Sequence, residues 1–525
     1  MQKPMRFAGA LIFGMMSSAA AQSDSSSVVR TIEIRRMGVF DSAEASNWIF
    51  RLVNRLHTGT RESVIRSELL FHEGEPFDSA ATAESVRILR SLALFRDVEI
   101  TTFRTGTGVV ERLTTRDAWS TSIGFDIQST GNQAFYTAQL AETNFLGTGS
   151  RLLASYGTHP EYSAVDLEFS HPRLISHQIG IDVSYQQRSD GHQAILVVDR
   201  PFRALASTFG FSLTVREFDG QVRQFFEGRT APRDTLQNRT EQVLLQASKA
   251  IRANADGYIR IGLIAQILRN DYQPVASAAP FPQHVIFTPG VLLAISRAHY
   301  EIADNYQHLH QTEDIDLSTT VSVGALVATR VGGSVHSGIG PFMTFRAGRE
   351  IPDGFGIVAG QASGLFSSAG LDSGSAVIAA TGVFRLGSDR ERLLLHVEGG
   401  IARNMAPVDQ FDLGAAIGPR GFGAHAFTGD RSFFSTAEYR YTLASDVGGL
   451  AGIGLAGFAD YGGAWFAGSA PRAGLDAGIG LRIGSTRQAD LRPIRIDLVR
   501  RFANDAVGAG WAVAVGKGFP FTLAQ

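Results

Sequence analysis

The sequence contains no cysteine, so its 525 residues are held together without disulfide bonds. Charged residues are also scarce, at 19% of the chain compared with roughly 25% in soluble domains. The formal charge is only -2 and gives no basic patch for nucleic acid, so we expect no nucleic-acid partner. Beyond the N-terminus, no apolar run approaches the roughly 20 residues that a membrane-spanning helix needs. These absences exclude disulfide-stabilised, nucleic-acid-binding and helical membrane proteins.

Motifs for catalysis and metal binding are also missing. No Gly-x-Ser-x-Gly sequence provides the nucleophile of a barrel-tethered lipase or protease, and the nearest match, residues 370–374, has the wrong order. His72 lacks the second histidine of a zinc-binding helix, and His308 and His310 lack a nearby third ligand. No glycine-rich run is followed by the Lys and Ser or Thr that bind phosphate. We therefore expect no enzymatic activity, no metal and no cofactor.

The N-terminus has the features of a signal peptide. Lys3 and Arg6 precede an apolar run from Phe7 to Met16, and alanines at 19–21 provide a small-residue cleavage site. The apolar run is about half the roughly 20 residues that a helix needs to cross a bilayer, which favours cleavage over anchoring. We expect residues 1–21 to be removed after export across the inner membrane.

Residues 22–115 have the pattern of a small soluble α+β domain. Apolar and charged residues alternate at its start, and two stretches with helical periodicity follow. The predicted elements are a strand near Ile32, helices near 60–69 and 86–93, and strands near 98–100 and 108–110. This order, β, α, α, β, β, predicts one compact module.

From residue 116 to the end, apolar and polar side chains alternate in strand after strand. In residues 475–483, every odd-numbered residue is apolar and every even-numbered residue is polar or small. Such alternation in segments of about ten residues indicates an outer-membrane β-barrel, because a sheet in lipid must close on itself to pair its backbone groups. A soluble β-sandwich or β-helix is the alternative. Short turns alternating with long polar loops, such as 219–238 and 269–283, favour the barrel.

The end of the chain carries a separate feature. Gly516, Phe519 and Phe521 have the spacing glycine, two residues, aromatic, one residue, aromatic. This spacing resembles the C-terminal signal that barrel-assembly machinery recognises in outer-membrane proteins, although Ala514 stands where that signal prefers a polar residue. A strand that happens to end in phenylalanine is the alternative. We expect the machinery to be a partner during insertion of this chain.

Several segments, in this order along the chain, resemble the BamA/TamA-like family of the Omp-eighty-five superfamily, of the bacterial surface antigen type. The segments are Val64–Phe77, Leu94–Val98, Arg116–Ser120 and Glu142–Gly149. They are similar to a polypeptide-transport-associated (POTRA) helix pair with its strand, and to the first hairpin of the barrel. The resemblance implies one periplasmic POTRA domain at 22–115 and an all-β transmembrane barrel of about 16 antiparallel strands at 116–525. Our own count gives roughly 18 to 20 candidate strands, and we adopt 16 by treating some upstream segments as loop hairpins.

The sequence Pro419-Arg420-Gly421-Phe422 resembles a loop motif of the same family, with proline in place of a branched residue. The resemblance implies that the loop at about 403–431 folds into the barrel and that Arg420 binds Glu438 and Asp460. A guanidinium makes directional bonds to two carboxylates that a lysine cannot reproduce. The alternative is that Arg420 is solvated and that the two acids only line a polar lumen.

The family resemblance implies a factor that assembles or inserts proteins in the outer membrane of a Gram-negative bacterium. Its partners are expected to be outer-membrane or secreted client polypeptides, which pair with the POTRA domain by β-augmentation, and outer-membrane lipid. Clients are expected to pass into the bilayer at a seam between the first and last strands, where glycines weaken pairing. The predicted seam residues are Trp119, Gly510, Val513, Gly516 and Gly518. The alternatives are a two-partner secretion translocator, which usually has two POTRA domains, and a plain porin, which needs none.

Overall fold

The computed structural model describes residues 27–521 except 41–47, 49–50, 52–53, 56, 107, 131–132, 176–177, 227, 230, 282–283, 305, 307–311, 369, 405, 407–408, 415–416, 489–491 and 503–508. The predicted signal segment 1–21 and the histidine pair His308 and His310 lie outside the described residues. No described helix is long and apolar enough to cross a membrane.

Residues 27–117 form an α+β module. Its elements are β1 (Val29–Met37), α1 (Glu62–Arg66), α2 (Ser79–Ser91), β2 (Phe95–Thr105) and β3 (Gly108–Asp117). The sheet order is β1-β3-β2, with β1 parallel and β2 antiparallel to β3. Ile65 and Leu89, from the two helices, pack with Val98 and Leu113 of the sheet in one apolar core. The order of the described elements matches the prediction from the sequence.

Twenty strands of the described chain close into an antiparallel barrel. They are β4 (Thr121–Thr130), β5 (Gln133–Phe145), β6 (Ser150–Thr158), β7 (Ser163–Ile175), β8 (Ile179–Arg188), β9 (Gly191–Arg200), β10 (Phe209–Gln224), β11 (Asp234–Asn254), β12 (Gly257–Pro274), β13 (Ile286–Arg297), β16 (Thr319–Ala328), β17 (Gly338–Ile351), β18 (Gly354–Ser367), β19 (Gly370–Arg385), β20 (Glu391–Arg403), β23 (Arg431–Val447), β24 (Ala451–Trp465), β25 (Gly474–Ser485), β26 (Ile494–Arg501) and β27 (Gly510–Lys517). Two short hairpins, β14–β15 (Tyr300–Asp304 and Thr312–Asp316) and β21–β22 (Phe411–Leu413 and Phe427–Gly429), lie between barrel strands. We call the end of the barrel beside the module the near rim and the opposite end the far rim.

The antiparallel barrel is the predicted fold class, but the predicted number of about 16 strands is too low. Within the segment 219–238, which was predicted to be a loop, residues 219–224 and 234–238 continue the ladder of β10 and β11 as far as the pair Gln224 with Asp234. Pairing likewise continues along β12 to Pro274. Where long strands extend past the apolar band, both of their faces contact water. The sequence of that part loses its apolar–polar alternation, while the backbone pairing persists. The five strands predicted after residue 431 are confirmed as β23 to β27.

Large apolar side chains cover the outside of the barrel. Ile123 is 88% exposed, and Leu263 and Ile479 are each 68% exposed. The residues that alternate with them face the lumen, as the period of two requires. An apolar outer band with a mostly polar inner face is the surface of a barrel that spans a bilayer.

The lumen contains an apolar core of its own. Side chains from three inserted segments are buried together in it, namely the β14–β15 hairpin, the connection between β20 and β23, and the residues after β27. These side chains include Leu317, Phe422, Phe427, Phe519 and Phe521. Barrels of 16 to 18 strands usually enclose an aqueous channel. In this barrel, packed side chains occupy part of that space.

Candidate functional site

The connection between β20 and β23, residues 404–430, starts at the far rim and folds into the barrel. We call it the inward loop. Its tip turns at Gly418, whose φ of 102° is accessible to glycine and strained for other residues. After the turn, Phe422 is fully buried, and its ring centroid lies 5.1 Å from that of Phe427. A Cβ on Gly474 of β25 would lie 2.3 Å from the Phe422 ring, so glycine at 474 makes room for this side chain.

Arg420, beside this turn, has a fully buried side chain. Its Nη1 donates to Glu438 Oε2 at 2.8 Å and to Asp497 Oδ2 at 3.2 Å. Its Nε and Nη2 donate to the two carboxylate oxygens of Asp460 at 2.7 and 3.1 Å. The ring centroid of Phe458 lies 3.7 Å from the guanidinium carbon, a cation–π distance. The structure therefore brings the three predicted residues together and adds Asp497 as a further acid.

These contacts belong to a larger network on the lumenal face of β23 to β26. Its charged members are Arg420, Arg440, Arg482, Arg495, Glu438, Asp460, Asp476 and Asp497, four of each sign. Arg482 bridges two of the acids, donating to Glu438 Oε2 at 2.9 Å and to Asp497 Oδ1 at 2.6 Å. The backbone N–H of Gly421 donates to Asp476 Oδ2 at 2.8 Å. Each of the four arginines lies against at least one carboxylate of the cluster, which offsets the high cost of burying an unpaired charge.

The sequence analysis missed Asp497 and did not assign Asp476 to the site. Asp476 stands on the polar face of the alternating segment 475–483, and Asp497 alternates in the same way with Ile496 and Leu498. Alternation placed Asp476 on the polar face, and the same pattern around Asp497 was the signal that the sequence analysis did not use. Their depth in the barrel depends on the register between strands, in which Asp460 lies opposite Asp476.

Phe519 and Phe521, the predicted C-terminal signal, lie inside the barrel. Gly518 ends β27 with a φ of 63°, and the chain then turns into the lumen. Phe521 stacks on the His396 ring with centroids 3.7 Å apart and planes inclined by 7°. The backbone N–H of Gly418 in the inward loop donates to Pro520 O at 3.1 Å. The tail of the chain thus contacts the inward loop.

The barrel closes where β27 meets β4. Among the described residues this contact consists of one backbone pair, Val515 with Ser129. On its other side, β27 pairs with β26 along its whole length, from Lys517 with Ile494 to Gly510 with Arg501. Ser129 lies near the far-rim end of β4, whereas Val515 lies near the near-rim end of β27. The two strands are therefore offset along each other, and most of the facing edge of β4 has no described barrel partner.

The other predicted seam residues take different positions. Val513 is on the outer face of β27 and 50% exposed. Gly510 and Gly516 lie on β27, but a Cβ at either position would point toward arginines of β26. Trp119 precedes β4, and its N–H donates to Arg487 O in the β25–β26 connection at 2.8 Å. Trp119 is therefore not part of the β4–β27 pairing, because β4 begins only at Thr121.

The α+β module packs against the near rim through polar contacts. Glu68 is buried and forms ion pairs with Arg173, near the end of β7, and with Arg203, from the β9–β10 connection. The Glu84 carboxylate accepts a 2.6 Å bond from the N–H of Leu205, also in the β9–β10 connection. Further near-rim contacts join Thr60 with Asn144, Arg61 with Gly147, Arg87 with Tyr300, and Arg90 with Asp314. Helix α2 thus reaches from the β9–β10 connection to the β14–β15 hairpin.

The inward loop is also attached at the far rim. His425 Nδ1 lies 2.5 Å from Asp412 Oδ2, and its Nε2 pairs with Glu161 in the β6–β7 connection. The Phe225 ring stacks on the imidazole at 3.5 Å between centroids. Burial alone would lower the pKa of His425, but hydrogen bonds and charge from the two carboxylates raise it to about 9. The imidazole is therefore charged at neutral pH and ties the loop to two far-rim connections.

Comparison with known proteins gives fold-level likenesses. No family model matches the chain, and no curated protein sequence matches it. Among solved structures, it is similar to BamA from Haemophilus ducreyi lacking POTRA domains 1–3, at 12% identity and a TM-score of 0.41, over 94% of this chain and 85% of that one. CdiB from Acinetobacter baumannii matches at 12% identity and a TM-score of 0.46, over 93% and 73%. CdiB from Escherichia coli matches at 12% identity and a TM-score of 0.44, over 96% and 93%.

Proposed function

We propose that this protein assembles or inserts other proteins in the outer membrane of a Gram-negative bacterium. It receives a client polypeptide at the α+β module, which acts as a periplasmic POTRA domain, and passes it to the bilayer between β27 and β4. Its partners are outer-membrane or secreted client chains, outer-membrane lipid and, during its own insertion, the barrel-assembly machinery. In this proposal the protein is not an enzyme and uses no cofactor. Among the described residues, no group of three or more acids and histidines is arranged to hold a metal ion.

The observation that carries the proposal is the short contact between β27 and β4. One described backbone pair, Val515 with Ser129, joins strands whose other neighbours are paired over most of their length. Separating this contact exposes few hydrogen-bonding groups to lipid, whereas separating any other barrel pair would break a longer ladder. An incoming strand could pair with the freed edges and enter the bilayer with its backbone groups satisfied.

The filled lumen favours this lateral route over passage through the barrel. Buried side chains of the inward loop and the chain end, such as Phe422 and Phe521, share one apolar core inside the wall. A translocator or a porin needs a continuous polar path, so both must first displace this core. The lateral route needs only the β27–β4 contact to separate.

The module offers an edge for client binding. The sheet order β1-β3-β2 leaves β1 and β2 at the edges. The edge of β1 is partly occupied, because Val29 N donates to Glu75 O at 2.9 Å and Ile32 N to Glu73 at 2.9 Å. The second half of β2, residues 99–105, is largely exposed, so β2 is the edge we propose for β-augmentation.

The test is the outer-membrane proteome after depletion of the protein. We expect broad loss of barrel proteins, restored by the wild-type chain and not by a variant crosslinked between β27 and β4. Restoration by the crosslinked variant would contradict lateral transfer. Loss of a single secreted protein with an intact set of barrels would contradict assembly and favour the two-partner secretion translocator.

A further inference from the structure

A cavity of about 570 Å³ lies on the far-rim side of the lumen. Its wall is the lumenal face of β9 to β12, and the inward loop borders it at Asp409, Gln410 and Asp412. Its volume falls within the roughly 300 to 1,000 Å³ of small-molecule binding sites. The cavity is separate from the Arg420 network, since none of the eight charged residues of that network lines it.

Uncharged amide and hydroxyl groups dominate the strand wall of this cavity. They are Gln193 on β9, Asn238, Thr240 and Gln242 on β11, and Gln266 and Asn270 on β12. On β11, Asn238, Thr240 and Gln242 occupy even-numbered positions, whereas the odd-numbered Val243 and Leu245 are exposed on the outer face. The polar side chains of this strand therefore point into the barrel. Thr240 Oγ1 donates to Asn270 Oδ1 at 2.9 Å, and Asn270 Nδ2 donates to Tyr272 Oη at 3.3 Å. Each amide presents a donor and an acceptor side by side.

The charged groups around the cavity compensate one another. Arg188 and Arg223 both pair with Asp190, at 2.8 Å in each case. His425 lies between the carboxylates of Glu161 and Asp412. Arg216 and Asp409 also line the cavity, and Arg216 Nη2 donates to Gln193 Oε1 at 3.1 Å. With Asp190 included, four cationic side chains and four carboxylates therefore surround the cavity. A ligand meets little net charge, so neither an anion nor a cation is the preferred class.

Aromatic rings complete the lining. Phe218 and Tyr272 stand on β10 and β12 beside the amides. Tyr162 and Phe225, from far-rim connections, also line the cavity, with one face of each ring covered by Arg188 and by His425, respectively. Phe218 is buried and lies opposite both Gln193 and Thr240 in the strand register, so an apolar surface sits within the polar wall. Rings of this kind cover apolar C–H faces, while their polar neighbours bind hydroxyl groups.

We propose that this cavity binds a neutral oligosaccharide. Adjacent sugar hydroxyls are donors and acceptors at once and pair with both atoms of an amide side chain, and the C–H face of a pyranose packs on an aromatic ring. An extended peptide is a poorer match. The cavity wall is the face of a paired sheet, in which Thr240 is backbone-paired with Phe218 on one side and Asn270 on the other. The wall therefore offers no free strand edge with which a peptide could pair.

The test is direct binding to the full-length protein in lauryldimethylamine oxide, because detergents with sugar headgroups would compete. Saturation-transfer NMR is recorded with maltotriose and with chitotriose as free neutral sugars. The lipid-linked probe is a neutral glycolipid, digalactosyldiacylglycerol, added to the same micelles. We expect at least one of these probes to bind. Binding of a free sugar identifies a soluble oligosaccharide as the ligand, and binding of the glycolipid alone identifies a membrane-linked glycan.

Two variants, Gln242→Leu and Gln266→Leu, each remove one wall amide and should weaken binding by about tenfold. Gln361→Leu is the matched control, because Gln361 is a lumenal amide on β18, outside this cavity. Its binding should equal that of the wild type, and heat-modified mobility on gels verifies that every variant is folded. Three results would overturn the proposal: no binding of any glycan up to about 10 mM, equal binding by the wall variants, or displacement of the sugar by an uncharged peptide such as acetyl-Ala-Gln-Ala-Ser-amide.

Discussion

The backbone N–H of Gly418 donates a 3.1 Å hydrogen bond to the carbonyl of Pro520. Gly418 belongs to the inward loop, and Pro520 lies between the two phenylalanines that follow β27. A connection that starts at the far rim therefore reaches the end of the chain beyond the last strand. Because Arg420 of the same loop also binds Asp497 on β26, the loop contacts both β26 and the segment after β27, on one side of the β27–β4 contact.

Replacing Arg420 by alanine should destabilise the folded barrel by about 3–5 kcal/mol, because Glu438, Asp460 and Asp497 would be left buried with less compensating charge. Arg420→Lys should be intermediate, since an ammonium group cannot bind Asp460 in two places. The measurement is the urea midpoint of the refolded protein in micelles. Arg385→Ala, at a side chain that is 54% exposed, should leave the midpoint unchanged. A wild-type midpoint for Arg420→Ala would show that the network does not stabilise the barrel.

The strands in the downstream half of the barrel could be predicted from the sequence, because apolar and polar residues alternate clearly along them. In β25, Asp476 and Arg482 stand on the face opposite Leu475 and Ile479. The inward loop and the partners of Arg420 were predicted through the family resemblance, which implied Glu438 and Asp460 on the strands that follow the loop. Asp497 was missed because the choice among lumen-facing acids depends on their relative depth, which the strand register sets.

The upstream half of the barrel was less predictable from the sequence. Residues 219–224 and 234–238 are largely polar on both faces because β10 and β11 continue beyond the apolar band, so no alternation marks them as strands. Phe519 and Phe521 were predicted as part of the last strand's signal, and their spacing gives no indication that the chain turns inward. That turn depends on Gly518 and on a lumenal pocket formed by His396 and the β14–β15 hairpin, both distant in sequence.

Phe521→Ala should cost about 3–5 kcal/mol in the free energy of unfolding, because it removes a buried ring from the lumenal core. The refolded variant should unfold at lower urea than the wild type. Phe366→Ala removes a ring that is 51% exposed on the outer face and should have a much smaller effect in micelles. If Phe521→Ala reduces insertion in cells while its urea midpoint equals that of the wild type, the residue acts only as an insertion signal.

A disulfide should form between Ser129→Cys and Val515→Cys, the one described backbone pair of the β27–β4 contact. The chain contains no cysteine, so no native thiol can form a competing disulfide. Leu498→Cys with Val513→Cys, a pair within the continuous β26–β27 ladder, is the positive control. Crosslinking is read as a mobility shift on non-reducing gels. If only the control pair crosslinks, β27 and β4 are not neighbours in this register.

The far-rim attachment of the inward loop should weaken in alkali. Because Glu161 and Asp412 raise the pKa of His425 from 6.5 to about 9, the protonated ring stabilises the attached loop. This stabilisation is complete below pH 6.5 and is lost as the pH rises through 9. A cysteine at Gln410 should therefore react faster with a methanethiosulfonate reagent at alkaline pH, relative to a cysteine at the fully exposed Val331. His425→Gln should abolish the change in this ratio, and an unchanged ratio in the wild type would contradict the attachment.

The junction between module and barrel should resist protease in the folded protein. Asp117 is buried and accepts a 2.8 Å bond from Thr60 N, and Trp119 N is bonded to Arg487 O. Glu68→Ala should release the module from the near rim, because it leaves Arg173 and Arg203 without their shared carboxylate.

The measurement is the rate at which a protease added from the module side cuts between residues 115 and 120. Glu68→Ala should raise this rate at least severalfold. Glu62→Ala, which removes an exposed pair with Arg66 in α1, should not change it. Rapid cleavage of the wild type at the same site would mean that the module is not held against the rim. The ion pairs of Glu68 would then contribute little to holding the module in place.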